Sequence, residues 1–314
     1  MALARLSESA GVSLNVIAFP GASNWPLWAG QQKGFFAEQG LEISLSITPN
    51  SVHMARELYS GGAHVALTSM DNVVAYGRGK GEVPLGEPAD FFAFMGVDDG
   101  LLSLMVQPEH DAVSCLRGQA LAVDALTTGY ALVLKEILAR HGLLESDVRY
   151  VSVGTGAERL AALREGRCAA TLLNAPLCLA AESVGKIRLV RASAVLEAYQ
   201  GVVAAARRKW ASENKPVILA FMRGYDASLR WLCDPANADE ARSLLVERLP
   251  SLRSVADDAY RVLITEHGLD RTLRLRPQAV DAVIRLRERH ASRGNKPGVA
   301  EDYIEDDYWR TVFC

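Results

Sequence analysis

An alternation that runs for two thirds of the chain and then stops is its most constraining feature. Short apolar runs rich in β-branched residues recur at 13–19, 41–47, 64–67, 91–96, 101–106, 120–123, 148–153, 169–173, 187–190 and 201–206. Helix-like stretches separate most of them. Runs this short, with helices between, predict strands of mostly parallel sheets, because a parallel pair needs a long crossover connection. The helix-like stretch 130–141 puts Ala131, Leu134, Ile137 and Leu138 on one face and stops at Gly142. A second, 157–165, stops at Gly166. From 207 to 290 the pattern is almost wholly helical. A helix admitting Pro216 in its first turn runs past Phe221, Leu229 and Trp231 to Asp234 and Pro235, and further segments cover 238–247, 255–267 and 277–290. Residues 77–88 read as a Gly/Pro-rich loop. The fold class is therefore α/β with a helical C-terminal third.

Size and charge narrow the function. The 314 residues suit one large domain or two ordinary ones. With 34 Lys and Arg against 37 Asp and Glu, the net charge of −3 gives no field favouring nucleic acid or an anionic membrane. Arg207, Arg208 and Lys209 cluster, as do the basic residues of 285–289, but the latter alternate with Leu286 and Glu288 and read as a solvated helix face. No stretch approaches the ~18 apolar residues of a membrane helix, so no direct membrane insertion is expected. Residues 1–10 carry Arg5 and no continuous apolar core, so no signal peptide is visible. Five cysteines without a CxxC spacing argue against a zinc site or a disulfide framework. They lean towards a reducing compartment and read as buried thiols packed as small hydrophobes.

Ligands of open α/β sheets bind beyond the carboxyl ends of the strands, where helix N-termini present free N–H groups. The residues after each apolar run are therefore the candidates for a binding site. Ser23, Asn24 and Trp25 follow the first run, Ser51 and His53 the second, and Ser69 and Asp71 the third. Asp98 and Asp99 follow the fourth; Thr127, Thr128 and Tyr130 the sixth; Thr155 the seventh; Asn174 the eighth. Singly, Ser51, Ser69 and Thr128 are better read as helix caps. Together, seven small polar joints suit one cleft. Enzyme motifs are weak beside this. Gly154-Thr155-Gly156 follows a strand and opens a helix, but Arg159 takes the third glycine position of a dinucleotide fingerprint. Walker A, G-x-S-x-G and HExxH sequences are absent. His53 and His64 are too isolated to declare a metal site, and His64 reads as structural. No metal and no cofactor are expected.

Five segments in succession carry a resemblance: "NWPLWAGQQKGFFAEQGLEISL", "ARELYSGGAHVALTSMDNVVAYGRG", "LRGQALAVDALTTGYALVLKEIL", "VRYVSVGTGAERLAALREGRCAATLLNAP" and "RRKWASENKPVILAFMRGYDASLRWL". From about Leu14 to Trp231 the chain resembles the SsuA/THI5-like (NMT1-like) family of periplasmic-binding-protein folds. That family includes sulfonate-, taurine- and nitrate-binding components of ABC transporters. The most specific piece is Pro26 to Phe36, with a later V-x-V-G and A-L-x-x-G. The resemblance implies a two-lobe type II fold, each lobe a mostly parallel sheet flanked by helices. Lobe 1 would comprise 1–98 and 203–314, with the C-terminal helices packed on it, and lobe 2 would comprise 99–202. Hinges near 97–100 and 200–202 would close the lobes on a ligand, with Trp25 on the lip of the cleft.

The function so implied is a monomeric solute-binding protein that takes a small organic anion and passes it to a permease. The joints suggest an organic acid with a second polar group: helix N-termini attract its acidic end, and the aspartates face a hydroxyl or amine. Its place would be the periplasm if a signal segment was removed, and the cytoplasm if the sequence is complete. The same fold also hosts a pyrimidine synthase that supplies its own histidine, a desulfinase using a cysteine, and a decarboxylase. No cysteine stands in the first joint and there is no Cys-rich iron motif, yet His53 with Asp98 or Asp99 keeps open an acid/base pair and a cytoplasmic lyase or hydrolase. A ligand-sensing subunit that docks on a signalling partner is a third possibility.

Overall fold

The computed structural model describes residues 11–87, 89–266, 268–291 and 298–314. Residues 1–10, with the reading made of them, lie outside these, as do Pro88 and His267, where two expected segments end. All ten apolar runs are strands: β1 (Val12–Ala18), β2 (Leu41–Ile47), β3 (Val65–Ser69), β4 (Phe91–Gly96), β5 (Leu102–Val106), β6 (Ala120–Val123), β7 (Arg149–Ser152), β8 (Ala170–Asn174), β9 (Ile187–Arg191) and β10 (Val202–Arg207). They form two five-stranded sheets with orders β2-β1-β3-β10-β4 and β7-β6-β8-β5-β9.

The two orders are the same pattern twice. In each sheet three strands pair in parallel, and the fourth position is an antiparallel strand that brings the chain in from the other sheet: β10 in the first, β5 in the second. The fifth strand pairs antiparallel with that one, so it points the same way as the first three. Each sheet is therefore mixed in pairing, with four strands of five sharing one direction. Two crossovers join the sheets, from β4 to β5 and from β9 to β10.

Burial explains which runs became strands. The six residues of β4 are all buried, although β4 lies at a sheet edge. The C-terminal segment covers that edge: Ala93 N–H donates to the Tyr303 carbonyl at 2.8 Å, and Glu305 N–H to that of Ala93 at 3.1 Å. An open, apolar edge would otherwise be a template for aggregation. At the opposite edge β2 exposes Glu42, Ser44 and Ser46 and covers Leu41, with Ile43 and Leu45 half-buried, as a half-covered strand should.

The helices are α1 (Trp25–Lys33), α2 (Ser51–Ser60), α3 (Met70–Gly77), α4 (Gly129–Arg140), α5 (Gly156–Arg164), α6 (Leu177–Glu182), α7 (Arg208–Glu213), α8 (Lys215–Cys233), α9 (Ala238–Arg248), α10 (Ala256–Tyr260), α11 (Pro277–His290) and α12 (Asp307–Phe313). The expected segment 255–267 is instead α10 followed by a π-helical turn, Arg261–Thr265. The long α8 buries Ile218, Phe221, Met222, Tyr225, Leu229 and Leu232 at helical spacing. It packs on α1, and Phe221 stacks on Phe36 with ring centroids 5.7 Å apart. Each such large side chain contributes ~1.5–3 kcal/mol by leaving water.

α11 behaves differently from the rest of the C-terminal part, since it contacts both α3 and α4 and so touches helices of both sheets. The basic run 285–289 on it is not a wholly solvated face. Arg287 is 3% exposed and forks onto Asp71, with Nε–Oδ1 at 2.8 Å and Nη2–Oδ2 at 2.5 Å. Alternation with Leu286 hid this, because the buried partner lies 216 residues away in the chain. Arg289 and His290 reach Glu136 of α4 at 2.6 and 2.8 Å. Burial opposes ionisation of Glu136, but bonds from Arg140, His290 and Arg289 hold its carboxyl down at about 2.

The thiols correct a second expectation. Cys168 and Cys178 are buried, whereas Cys115 and Cys314 are exposed; all five are unpaired. His64 is structural, as read: its Nδ1 accepts from Asn15 N–H at 3.1 Å, and its ring stacks on Trp210 at 5.1 Å. Burial, then the Arg207 charge, lowers its pKa.

Candidate functional site

Parallel strands aim their carboxyl ends one way, so the loops after β1, β2 and β3 face those after β6, β7 and β8 across a cleft. Counted out to its mouth, that cleft holds about 970 Å³ of unfilled space. The first sheet contributes Phe19, Pro20, Ser23, Asn50, Ser51 and Ser69 to its walls. The second contributes Asp124, Thr128, Tyr130, Thr155, Arg159 and Asn174. Ser23, Ser51, Ser69, Thr128, Tyr130, Thr155 and Asn174 thus come together from six distant parts of the sequence.

Two glycines let the structure close around this cleft. Gly129, at the start of α4, abuts α3 so tightly that a Cβ would lie 2.6 Å from the Asp71 Cβ. Gly201 sits where the crossovers touch, and any side chain there would collide with the Gly100 backbone and the Asp98 carboxylate.

The other predicted residues stand elsewhere, each for a physical reason. Trp25 is not on the lip. It is 0% exposed, packs edge-on against Tyr260 with centroids 6.0 Å apart, and belongs to the core under α1. Asn24 is equally buried and donates to the Phe19 carbonyl at 2.7 Å, which fixes the turn after β1. His53 is exposed on α2, outside the cleft lining. Asp71 is consumed by Arg287. Thr127 is exposed, and its carbonyl accepts from Arg287 Nη2 at 2.9 Å.

Asp98 and Asp99 are turn residues of the crossover. Asp98 Oδ1 accepts from Gly100 N–H at 2.8 Å and Val202 N–H at 2.9 Å, so one carboxylate ties both crossovers. Burial pushes its pKa up to about 6, against the pull of those two N–H bonds. Asp99 bonds the Leu101 N–H at 3.3 Å and faces a different pocket. The acid/base pair of His53 with either aspartate is thereby corrected: one member is solvated on α2, one is spent on backbone N–H groups, and one faces away.

The feature missed in the sequence is Arg159. In the sequence it stands out only as the residue at the third glycine position of a dinucleotide fingerprint. At 3% exposure it is the cation of the cleft. Nε donates to the Leu172 carbonyl at 3.3 Å and Nη1 to that of Gly154 at 2.9 Å. Asp124 Oδ1 is 3.9 Å from Nη1, and the guanidinium lies 5.8 Å from the Tyr130 ring centroid. Among the described residues no acceptor bonds Nη2. An arginine one turn into the helix that follows a strand end is the available signal, since such a residue, once buried, needs acceptors or a ligand.

Glu82, also unforeseen, brings a carboxylate to the first-sheet wall and accepts from Ser51 Oγ at 2.9 Å. The helix starts differ too. Asn50 caps α2 and Ser69 caps α3 through side-chain oxygens, and Thr155 with Glu158 forms a capping box on α5. No side chain caps α4: the Thr128 hydroxyl donates to Asp124 Oδ1 at 2.6 Å instead. Outside the cleft lining, the Tyr199 and Tyr76 hydroxyls are buried without a hydrogen-bond partner among the described residues. Burial raises the pKa of both, so both are neutral donors at neutral pH. Among the described residues no group of three or more His, Cys, Asp or Glu is placed to hold a metal ion. Nor is any described helix long and apolar enough to cross a membrane.

Two mixed sheets of this order, facing each other across a cleft and flanked by helices, define the type II architecture of periplasmic binding proteins. The chain belongs to the NMT1/THI5-like family, whose sequence profile matches residues 23–238. Its fold is similar to that of the periplasmic nitrate-binding protein NrtA from Synechocystis PCC 6803, with a TM-score of 0.77 at 12% identity, covering 96% of this chain and 88% of that one. It is similar to the alkanesulfonate-binding protein SsuA from Xanthomonas axonopodis pv. citri bound to MOPS, with a TM-score of 0.75 at 14% identity, covering 95% and 99%. It also resembles the ligand-binding component of an ABC-type import system from Staphylococcus aureus with zinc bound, with a TM-score of 0.75 at 16% identity, covering 96% and 99%. A search of curated protein sequences returned no match.

Proposed function

We propose that this protein is a solute-binding component of an ABC-type importer, and that it holds a small organic acid in the cleft. The observation that carries the reading is the Arg159 guanidinium, fixed by two carbonyls with Nη2 turned to no protein acceptor. An acidic group on the ligand would complete it, helped by the uncapped N-terminus of α4. Phe19, Tyr130, Leu67 and Leu177 would take an apolar body, and Glu82 and Asp124 a hydroxyl or amine at the far end. A bare inorganic anion offers those two carboxylates no donor beyond the Ser51 and Thr128 hydroxyls they already accept from, so nitrate and sulfate should bind weakly. The architecture shared with import components supports delivery to a permease, and with it a place outside the cytoplasm.

Residues 1–98 with 203–314, and residues 99–202, would act as the lobes, since the chain changes sheet at those points. The test is a thermal-shift screen over sulfonates, carboxylates, pyrimidines and nitrate, repeated with Arg159→Gln. A ligand at a hundred times its dissociation constant adds ~2.7 kcal/mol of stability. An organic acid that stabilises the native chain and not the variant supports the reading. Chemical conversion of that compound on incubation with the protein would overturn it, as would a hit that Arg159→Gln leaves untouched.

A further inference from the structure

A second pocket lies behind the crossovers, away from the cleft, with about 800 Å³ of unfilled space. Its walls come from three sources: the crossover residues Asp99 and Tyr199, the β9 residues Arg188 and Arg191, and Arg276 just before α11. Three guanidiniums meet the carboxylates of Asp99 and Glu197 in the pocket wall, and Glu182 pairs with Arg188 at 2.9 Å. Leucines at 101, 102, 179 and 196 give it an apolar side.

The arginines are under-used by the protein. Arg188 Nη2 donates to Glu182 at 2.9 Å and to the Cys178 sulfur at 3.3 Å, but its Nε is buried with no partner. Among the described residues the Arg191 side chain makes no hydrogen bond and no ion pair. Arg276 has only a 3.4 Å bond to the Tyr199 carbonyl. The buried Arg188 Nε–H without an acceptor is costly, and an oxyanion matches the fork of all three guanidiniums.

We propose that this rear pocket binds a monoanion with a carboxylate head and a short apolar tail, the head held by Arg188, Arg191 and Arg276 and the tail against the leucines. Arg188 pairs with Glu182 and Arg276 lies near Asp99, so Arg191 is the guanidinium left for one negative charge, which favours a monoanion over a phosphate dianion. The occupant would touch the crossovers, the second sheet and the C-terminal segment at once. The site is independent of the cleft, since none of its residues lines both.

Calorimetric titration of the whole chain with hexanoate tests it, using Arg191→Gln, Arg276→Gln, their combination, and Arg159→Gln in the cleft. Both rear arginines are exposed at the pocket rim, so their variants should fold, which thermal melting checks. Saturable binding that survives Arg159→Gln, and weakens about tenfold or more in the combined variant, is expected. Should the combined variant not fold, each single variant still reads the effect as a smaller loss. No saturable binding, an affinity unchanged by the rear substitutions, or one abolished by Arg159→Gln would overturn the proposal.

Discussion

The two sheets share a strand order, yet the walls they raise on either side of the cleft are electrostatically different. On the first-sheet wall Asn50 caps α2 and Ser69 caps α3, and the charge present is the Glu82 carboxylate. On the second-sheet wall α5 has its own capping box but α4 begins without a side-chain cap, and Arg159 supplies a cation whose Nη2 has no acceptor among the described residues. Topology fixes where loops converge. It does not fix what they attract, which a few residues at the strand ends decide.

The largest effect should come from beneath the first wall rather than from its surface. Trp25→Ala removes a fully buried indole from the core shared with Tyr260, which typically costs ~3–5 kcal/mol. Urea denaturation should show that loss, while ligand affinity measured below the unfolding transition stays within a factor of about two of wild type, well under a 1.4 kcal/mol change. A large affinity loss at unchanged stability would return Trp25 to the cleft and break the contrast between a packed first wall and a charged second one.

Between the walls, Asp98 offers a pH test of the crossover that joins them. Its pKa is raised from 3.8 in the unfolded chain to about 6 in the folded one, chiefly by burial. The folded state therefore prefers the protonated acid. That preference stabilises fully below pH 3.8 and is lost as pH rises through about 6. Asp98→Asn keeps the oxygen that accepts from Gly100 and Val202 and removes the charge. Relative to wild type, the variant should gain stability between pH 4 and 7, by up to about 3 kcal/mol. A stability difference that stays flat over that interval would show that Asp98 is solvated, and the two lobes less tightly tied than drawn here.

Much of the fold was legible because its signals are local. A run such as the six buried residues of β4, or the one-faced spacing of α8, needs no knowledge of what it packs against. The site was legible only in part, because side-chain direction depends on distant partners. The joint before α1 marks a strand end, but nothing local tells whether Trp25 turns to solvent or to Tyr260, 235 residues on. Asp71 reads as a cleft residue until Arg287 is brought beside it from 216 residues away. Arg159 stands in "GTGAER", where the glycine spacing draws attention to the glycine it replaces rather than to its charge. A cation one turn into a helix that follows a strand could have been weighed as an anion contact in its own right.

The next effect probes the second wall directly. Arg159→Gln removes the one cation of the cleft while keeping a neutral donor. Hydrogen bonds to charged groups are worth ~1.5–3 kcal/mol, so affinity for an organic acid found in the screen should fall about 10- to 100-fold. Stability should fall as well, because the Leu172 and Gly154 carbonyls lose their donor. Calorimetry separates the two losses. Binding unaffected at reduced stability would make Arg159 a strut for β8 and remove the difference between the walls.

The smallest effects give the sharpest contrast, because two polar residues of similar size should respond in opposite ways. Asn50 belongs to the first wall and caps α2 by accepting from His53 N–H at 2.9 Å. Asn50→Ala should cost ~1 kcal/mol of stability through the lost cap, with ligand affinity little changed. Thr128 belongs to the second wall and caps nothing; its hydroxyl holds the Asp124 carboxylate at 2.6 Å, and that carboxylate stands 3.9 Å from Arg159. Thr128→Val keeps the shape and frees Asp124 to close on the guanidinium, where it competes with the ligand's acid. Affinity should then drop by ~1 kcal/mol, about fivefold, as expected for one competing ion pair in a partly solvated cleft. Adding Asp124→Asn to Thr128→Val should restore the affinity, since the competitor is gone. If both single variants lose stability and affinity in the same proportion, the two walls are built alike and the contrast drawn from their helix starts is wrong.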